Sequence, residues 1–537
     1  MENTMYDIDL IDRIFDAKEY PPTAEQRRLV ETIAEAFYSH RDTRKIIVCK
    51  AVAGAGKTAT TLDVYNVLTT DLAGQFIQFV AFNVKAKDEM ISRGVDSKHA
   101  KTLNGLGHAN LSRYARSRGL KLDVQDGLKV TNLLRQTDPE LAKIAPARRF
   151  AKRLIDFVKA HGLKTFDRQT LEGLADHYEV FIDLTYEECE DTYNMTLDTL
   201  ESKTYDWIGQ TMAVNNRVPE SGDWVIDFND QVYLPVVLGI KCFQNDLLVV
   251  DEAQDLSLAN KRLVDKCLKK NGVLVLVGDD YQCIYAWRGC EVDGLSKTLA
   301  RPKLDVTASP LTYNWRSGKQ IIQFAQTICP DIQCGNGKEA VVKSEELCKF
   351  EVVQLGGDVA VLSRLRAPLV SYAIELLKAD KPFTFQFSLK FLIDTIKQIG
   401  DADLSIRAFK RHLVTYIETK RELYQQQDAD SALEDLEDFA AIMDTILEKV
   451  VTTDKVADLI TYIKDLDRRI RESDGSLCLS TIHGSKGLEW ETTYIIGYAE
   501  IGNRATKDWK VTEARNLKFV ATTRAKTNLI FLTEEKK

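Results

Sequence analysis

Two short apolar runs, each ending in reactive side chains, restrict this chain more than anything else in its 537 residues. The first, IIVCKAVAGAGKTAT at 46–60, reads as a strand, a glycine-rich turn and then Lys57-Thr58 opening a helix. Such a turn points backbone N–H groups and a helix N-terminus at a chain of phosphates. Ala53, Gly54, Ala55 and Gly56 supply that backbone, Lys57 a point charge for the outer phosphates, and the Thr58 hydroxyl a ligand for Mg²⁺. The second run, LLVVDEAQDLS at 247–257, ends a strand in Asp251-Glu252, where one carboxylate can hold the metal and the other can activate water. Each part has a plainer reading: glycines easing a turn, a solvated lysine, acids capping a helix. Together they point to hydrolysis of a nucleoside triphosphate.

Short apolar runs alternating with helical patterns imply parallel sheets covered on both faces. IIVC (46–49), FIQFVAF (76–82), DLLVVD (246–251) and VLVLVGD (273–279) form one set of strands. VAVLS (359–363), LCLSTIH (477–483), TTYIIGY (492–498) and NLIFL (528–532) form another. The expected fold class is therefore α/β, in two halves that each carry a mainly helical insertion. The first half is expected at 1–108 and 224–305 with its insertion at 109–223, the second at 306–375 and 471–537 with its insertion at 376–470. A chain this long exceeds what one core can organise. No apolar run approaches the roughly 20 residues of a membrane span, and the first stretch, MENTMYDIDLIDRIFD, is acidic rather than signal-like. The ten cysteines are scattered without a CxxC pair, which favours reduced thiols over zinc ligands.

Net charge is −8, so the overall balance gives no hint of nucleic acid. The stretch 141–164 is an exception, with Lys143, Arg148, Arg149, Lys152, Arg153, Lys159 and Lys164 against the single acid Asp156. Such a helix is more often a solvated face than a phosphate track, and both readings stay open.

Further runs match one family in order and spacing: PPTAEQ (21–26), AVAGAGKT (51–58), FVAFNVKAKDEM (79–90), VVDEAQD (249–255), VGDDYQCIYAWRG (277–289), LTYNWRSG (311–318), LSTIHGSKGLEW (479–490) and EARNLKFVATTRAK (513–526). Over nearly its whole length the chain resembles the UvrD/Rep/PcrA group of superfamily-one DNA helicases. KTLNGLG, a short second insertion and GLEW are closest to the F-box helicase-like branch. The resemblance implies two RecA-like halves and movement on single-stranded DNA in the 3′→5′ direction, driven by ATP and Mg²⁺.

It also implies roles for single residues. Gln26 would read the adenine edge, although Thr23 and Gln26 also fit a capping box. Gln282 would sense the γ-phosphate, and Arg316 and Arg524 would be arginine fingers on transition-state charge. Trp315, replacing the more usual Tyr, would stack on adenine, and Gly487 with Glu489 would meet the ribose side of the nucleotide. Tyr285, Trp287 and Arg288 alternate aromatic and cationic groups in a way that suits stacking on bases. Phe82, Thr102 and His483 would be further DNA contacts.

Besides Trp315, three positions depart from the family pattern: Ala51 stands where a Gly is usual, Ala59 where Arg is common, and Asn104 where His is common. The expected protein is a cytoplasmic DNA helicase or translocase of a bacterial or phage-infected cell, or a nuclear one in a eukaryote, monomeric and without a membrane segment. It would act on single-stranded DNA and single-/double-strand junctions, in repair, recombination or replication. The rival reading is a DNA-stimulated ATPase subunit or switch that needs a partner nuclease, in recombination or anti-phage defence.

Overall fold

The computed structural model describes residues 8–18, 22–39, 41–69, 74–301, 305–449 and 454–534. The start of the acidic stretch, residues 1–7, and Pro21 of the PPTAEQ run lie outside the described residues. The chain forms two compact units, one ending at Thr312 and the other beginning at Tyr313.

The sheet of the first unit contains β1 (Lys45–Lys50), β2 (Ile77–Ala81), β3 (Ala100–Thr102), β4 (Asn245–Val250), β5 (Leu268–Gly278) and β6 (Asp305–Ala308). Its spatial order is β3-β2-β4-β5-β1-β6, and every pairing is parallel. Ile47, Val48 and Cys49 on β1 and Leu247 to Val250 on β4 are almost wholly buried, as expected of strands with helices on both faces. The helices that position the site are α1 (Ala24–Tyr38), α2 (Lys57–Leu68), α3 (Leu103–Ser117), α4 (Lys129–Thr137), α5 (Ala145–Ala160) and α6 (Phe228–Val237). Helices α4 and α5 belong to the first insertion, whose own core gathers Leu134, Phe150, Leu154, Leu200 and Trp207.

The sheet of the second unit contains β7 (Val341–Glu346), β8 (Val359–Ser363), β9 (Thr384–Phe385), β10 (Leu477–Thr481), β11 (Trp490–Ile496) and β12 (Ala525–Thr533). Its order is β7-β12-β11-β8-β10-β9, again parallel throughout. The second insertion is a group of four helices, Lys390–Ile399, Ile406–Gln426, Asp430–Lys449 and Val456–Glu472. Among the described residues no helix is long and apolar enough to cross a membrane, and all ten cysteines are free thiols.

The expected α/β class holds, but the divisions move. The strand Asp305–Ala308 pairs with β1, so the first unit runs past 305 to Thr312 instead of giving way to the second. Helix α3 crosses the expected limit at 108/109, and the strand Asp223–Ile226, paired with Lys121–Val124, crosses the one at 223/224. Thr384–Phe385 pairs with β10, so the second insertion starts later than 376, and its last helix runs to Glu472. In each case a backbone hydrogen-bond ladder or an unbroken helix overrides a boundary judged from composition.

Candidate nucleotide and nucleic-acid sites

The residues predicted to hold a triphosphate cluster at the carboxyl ends of β1, β4 and β5, where parallel sheets leave their crevice. Ala51 donates its N–H to the Gly278 carbonyl at 2.8 Å, and Val52 donates to Leu311 at 3.0 Å, so the turn after β1 is pinned from two sides. Ala51 is buried in a bridge pairing with Leu311, and the left-handed glycines of the turn are Gly54 and Gly56. A glycine at 51 is therefore not demanded by the backbone. Gly56, at φ 79°, caps α2, and a Cβ there would lie 2.9 Å from the Gln26 amide nitrogen.

Gln26 does two jobs in this fold. Its Oε1 accepts from the Thr23 N–H at 2.9 Å while its own N–H donates to the Thr23 hydroxyl, which completes the capping box of α1. Its Nε2 points to the Ala55 carbonyl at 3.4 Å, which sets the amide beside the turn. Glu25 also ties α1 to the end of the unit by accepting from the Thr312 N–H and hydroxyl, each at 2.7 Å.

Lys57 opens α2, and its Nζ lies 3.5 Å from Glu252. Asp251 directly follows β4; its carboxyl is buried, and burial, reinforced by Glu252 and opposed by Lys57, pushes it up to about 6. A carboxylate in that state favours an added cation. Asp251 and the Thr58 hydroxyl fit Mg²⁺, which takes one or two protein ligands and completes its shell with phosphate oxygens and water. Glu252 has φ +52°, a left-handed conformation that side chains other than Gly, Asn and Asp rarely adopt. Gln282 is buried and donates to the Asp279 carboxylate at 2.7 Å. Asp279 is held up by burial, with Lys57 acting against it.

Phe82 and Tyr285 stand nearly parallel, 5° between planes and 6.3 Å between centroids. They line a cavity of about 270 Å³ together with Asn104, Asn229 and Arg288. The Arg288 guanidinium lies 5.0 Å from the Tyr285 ring centre and 4.6 Å from that of Trp287. Thr102 caps α3 by accepting from the Gly105 N–H at 3.0 Å. Asn104 donates to the Phe228 carbonyl at 2.7 Å, which gives the departure from His a local structural use.

The basic stretch divides: Lys143, Arg149 and Lys164 are exposed, as on a solvated face, while others are tied into the fold. Lys159 is buried between Asp227 (2.6 Å) and Asp230 (2.9 Å), Arg148 donates to the Ala142 carbonyl, and Arg149 faces Asp183 at 3.9 Å. Arg153 donates to the Trp287 carbonyl at 2.8 Å and lies against the rings of both Trp287 and Phe157. Its link to the expected base-stacking loop could not be read from the sequence, since the two residues lie 134 positions apart.

In the second unit Asn314 accepts from the Arg316 and Ser317 N–H groups at 2.9 and 2.7 Å, which turns the chain after Tyr313–Asn314. Arg316 pairs with Glu489 and donates to the Thr523 carbonyl at 3.1 Å. Glu489 is partly buried, yet Arg316 and Lys526 hold its carboxyl below the usual range. Trp315 is 46% exposed, with the backbone of Gly335 close against its indole. Gly487 has φ +85° in the turn that carries His483. Arg524 differs from the picture of a free finger: it is 1% exposed and donates to the Val520 and Leu488 carbonyls at 2.9 and 3.0 Å.

Two parallel α/β sheets, a glycine turn with Lys-Thr and a strand ending in Asp-Glu define the class of RecA-like nucleotide-binding proteins. The model of the UvrD/REP helicase N-terminal domain matches residues 32–302, half of the chain, and the protein belongs to this family. It is 22% identical to F-box DNA helicase protein 1 of Schizosaccharomyces pombe over 95% of this chain and 57% of that one. It is 23% identical to ATP-dependent DNA helicase Rep of Buchnera aphidicola subsp. Acyrthosiphon pisum, over 57% of this chain and 67% of that one. Against ATP-dependent DNA helicase PcrA of Leuconostoc citreum it is 23% identical, over 57% of this chain and 58% of the other. The chain thus spans less than two thirds of the length of two of these three relatives.

Proposed function

We propose that this chain is an ATP-dependent DNA helicase or translocase that moves on single-stranded DNA, 3′→5′, in repair, recombination or replication. The observation that carries the reading is the pairing of Lys57 with Glu252 beside the buried Asp251, at the carboxyl ends of a parallel sheet. Lys57 and the Gly54–Gly56 turn would bind phosphates, and Gln26 and Trp315 the base. Gly487 and Glu489 would meet the ribose side. Asp251 and Thr58 would hold Mg²⁺, which supplies neutralisation of phosphate charge. Glu252 would orient the attacking water and take its proton. Gln282 would report the γ-phosphate, and Arg316 and Arg524 would stabilise transition-state charge. For Arg524 this requires that its guanidinium leave the two carbonyls it now serves.

DNA would lie on Phe82, Tyr285, Trp287 and Arg288, with Thr102 and His483 as phosphate or base contacts. The proposed substrates are single strands and their junctions with duplex. The proposed setting is a cytoplasm-like compartment and a monomeric motor, with a nuclease or a recombination or replication protein as a further partner. Steady-state ATP turnover with and without a single-stranded oligonucleotide tests the reading in wild type, Glu252→Gln and Trp287→Ala. DNA should stimulate the wild type, Glu252→Gln should lose turnover in both conditions, and Trp287→Ala should lose only the stimulation. A wild type indifferent to DNA would refute the motor reading.

A further inference from the structure

The geometry points to Gln254 as the residue that positions the general base Glu252 and ties it to the γ-phosphate sensor Gln282. This rests on the ATPase reading above and adds a member that no motif role assigns. Gln254 is buried, 1% exposed, on the short 3-10 turn Ala253–Asp255 that follows the left-handed Glu252. Its Nε2 donates to Glu252 Oε2, and its Oε1 accepts from the Asp279 N–H at 3.0 Å. Asp279 in turn accepts from Gln282 Nε2 at 2.7 Å. Glu252, Gln254, Asp279 and Gln282 therefore form one continuous chain of hydrogen bonds across the ends of β4 and β5.

The lack of a side chain at Gly278 makes room for this amide. A Cβ at Gly278 would fall 2.2 Å from Gln254 Oε1 and 3.1 Å from the Ala253 and Gln254 nitrogens. The glycine thus leaves the space that the amide fills. The other oxygen of the Glu252 carboxylate, Oε1, lies 3.5 Å from Lys57 Nζ. When Lys57 turns to phosphate, the Gln254 bond still fixes the direction of the second oxygen.

Gln254→Glu separates the two halves of this role, because the new carboxylate still accepts from Asp279 N–H but donates nothing to Glu252 and repels it. The assay is kcat and KM for ATP, with saturating single-stranded oligonucleotide and without it. Expected is a fall in kcat of roughly 10–100-fold, the range for outer-shell groups that orient a reacting residue. KM should change less than threefold. Gln254→Leu, which loses both bonds, should also lose the DNA stimulation that reaches Glu252 through Asp279. A Gln254→Glu protein with wild-type kcat overturns the assignment. Thermal melting of each variant separates a folding defect from lost positioning, and a misfolded Gln254→Leu leaves the Gln254→Glu kcat as the deciding result. Failure of the ATPase reading is distinct, since the wild type itself would then not turn over ATP.

Discussion

Replacing Lys159 by Met should loosen the first insertion from the nucleotide-binding sheet, and the size of the effect follows from charge balance. Lys159 and Lys129 face Asp227 and Asp230 in a site where all four side chains are at most 8% exposed. Two positive charges meet two negative ones, so the cluster is neutral as it stands. Burial alone would raise the Asp230 carboxyl, but Lys159 and Lys129 outweigh it and hold it at about 2. Methionine keeps most of the volume of Lys159 and removes one charge, leaving two buried carboxylates to share Lys129. Removing one partner of a buried pair costs about 3–5 kcal/mol, or roughly two to four powers of ten in a local opening constant. The double variant Lys159→Met/Asp227→Asn restores neutrality and should recover about 1–3 kcal/mol of that loss. Hydrogen exchange of peptides covering α5 and α6 reads local opening directly, without assuming that two units unfold together. Protection within about 1 kcal/mol of wild type in Lys159→Met, or additive losses in the double variant, would refute the argument.

Acid should attack the same place. Asp230 is depressed in the folded chain, so its contribution is fully present above its unfolded value near 4 and is lost as pH falls towards 2. Exchange protection of α6 should drop across that window, and Asp230→Asn should flatten the drop while starting from a lower level. Arg153→Gln should raise the concentration of single-stranded DNA needed for half-maximal ATP turnover, by about three- to tenfold, because Trp287 loses both a backbone and a ring partner. DNA-free turnover should not change, and an oligonucleotide titration decides the point. Trp315→Ala should raise KM for ATP by about three- to tenfold, whereas Trp315→Tyr should stay within twofold; equal KM in all three would show that this exposed indole does not meet the base.

The strands of both sheets were legible because parallel strands buried on both faces carry unbroken apolar runs, as IIVC and VLVLVG do. The proposed nucleotide residues come together for a related reason: Asp251 and Glu252 directly follow β4 and Lys57 opens the helix after β1, so local order is also spatial order. What escaped was set by long-range partners. Asp305–Ala308 looks like the opening of a new half until β1 claims it as an edge strand. The cationic character of 141–164 suggested solvent or phosphate, but the acids of α6 and its N-cap, Asp230 and Asp227, lie 71 and 68 positions beyond Lys159 and face it in the fold. Arg524 carries a motif that implies an exposed finger, yet its guanidinium satisfies carbonyls in its own unit. Gln254 stood inside the DEAQD run and gave no separate signal, since hydrogen-bond direction has no sequence period.

The left-handed backbone at Glu252 sets folding and turnover against each other. A side chain held at φ +52° is strained by about 1 kcal/mol or more, which a glycine at the same position would relieve. With Glu252 in its proposed role as base, a population of such chains selected only for resistance to heat would tend to discard the carboxylate, because the mutation that relaxes the backbone would also remove the base. Stabilised variants of this protein are best sought away from that turn.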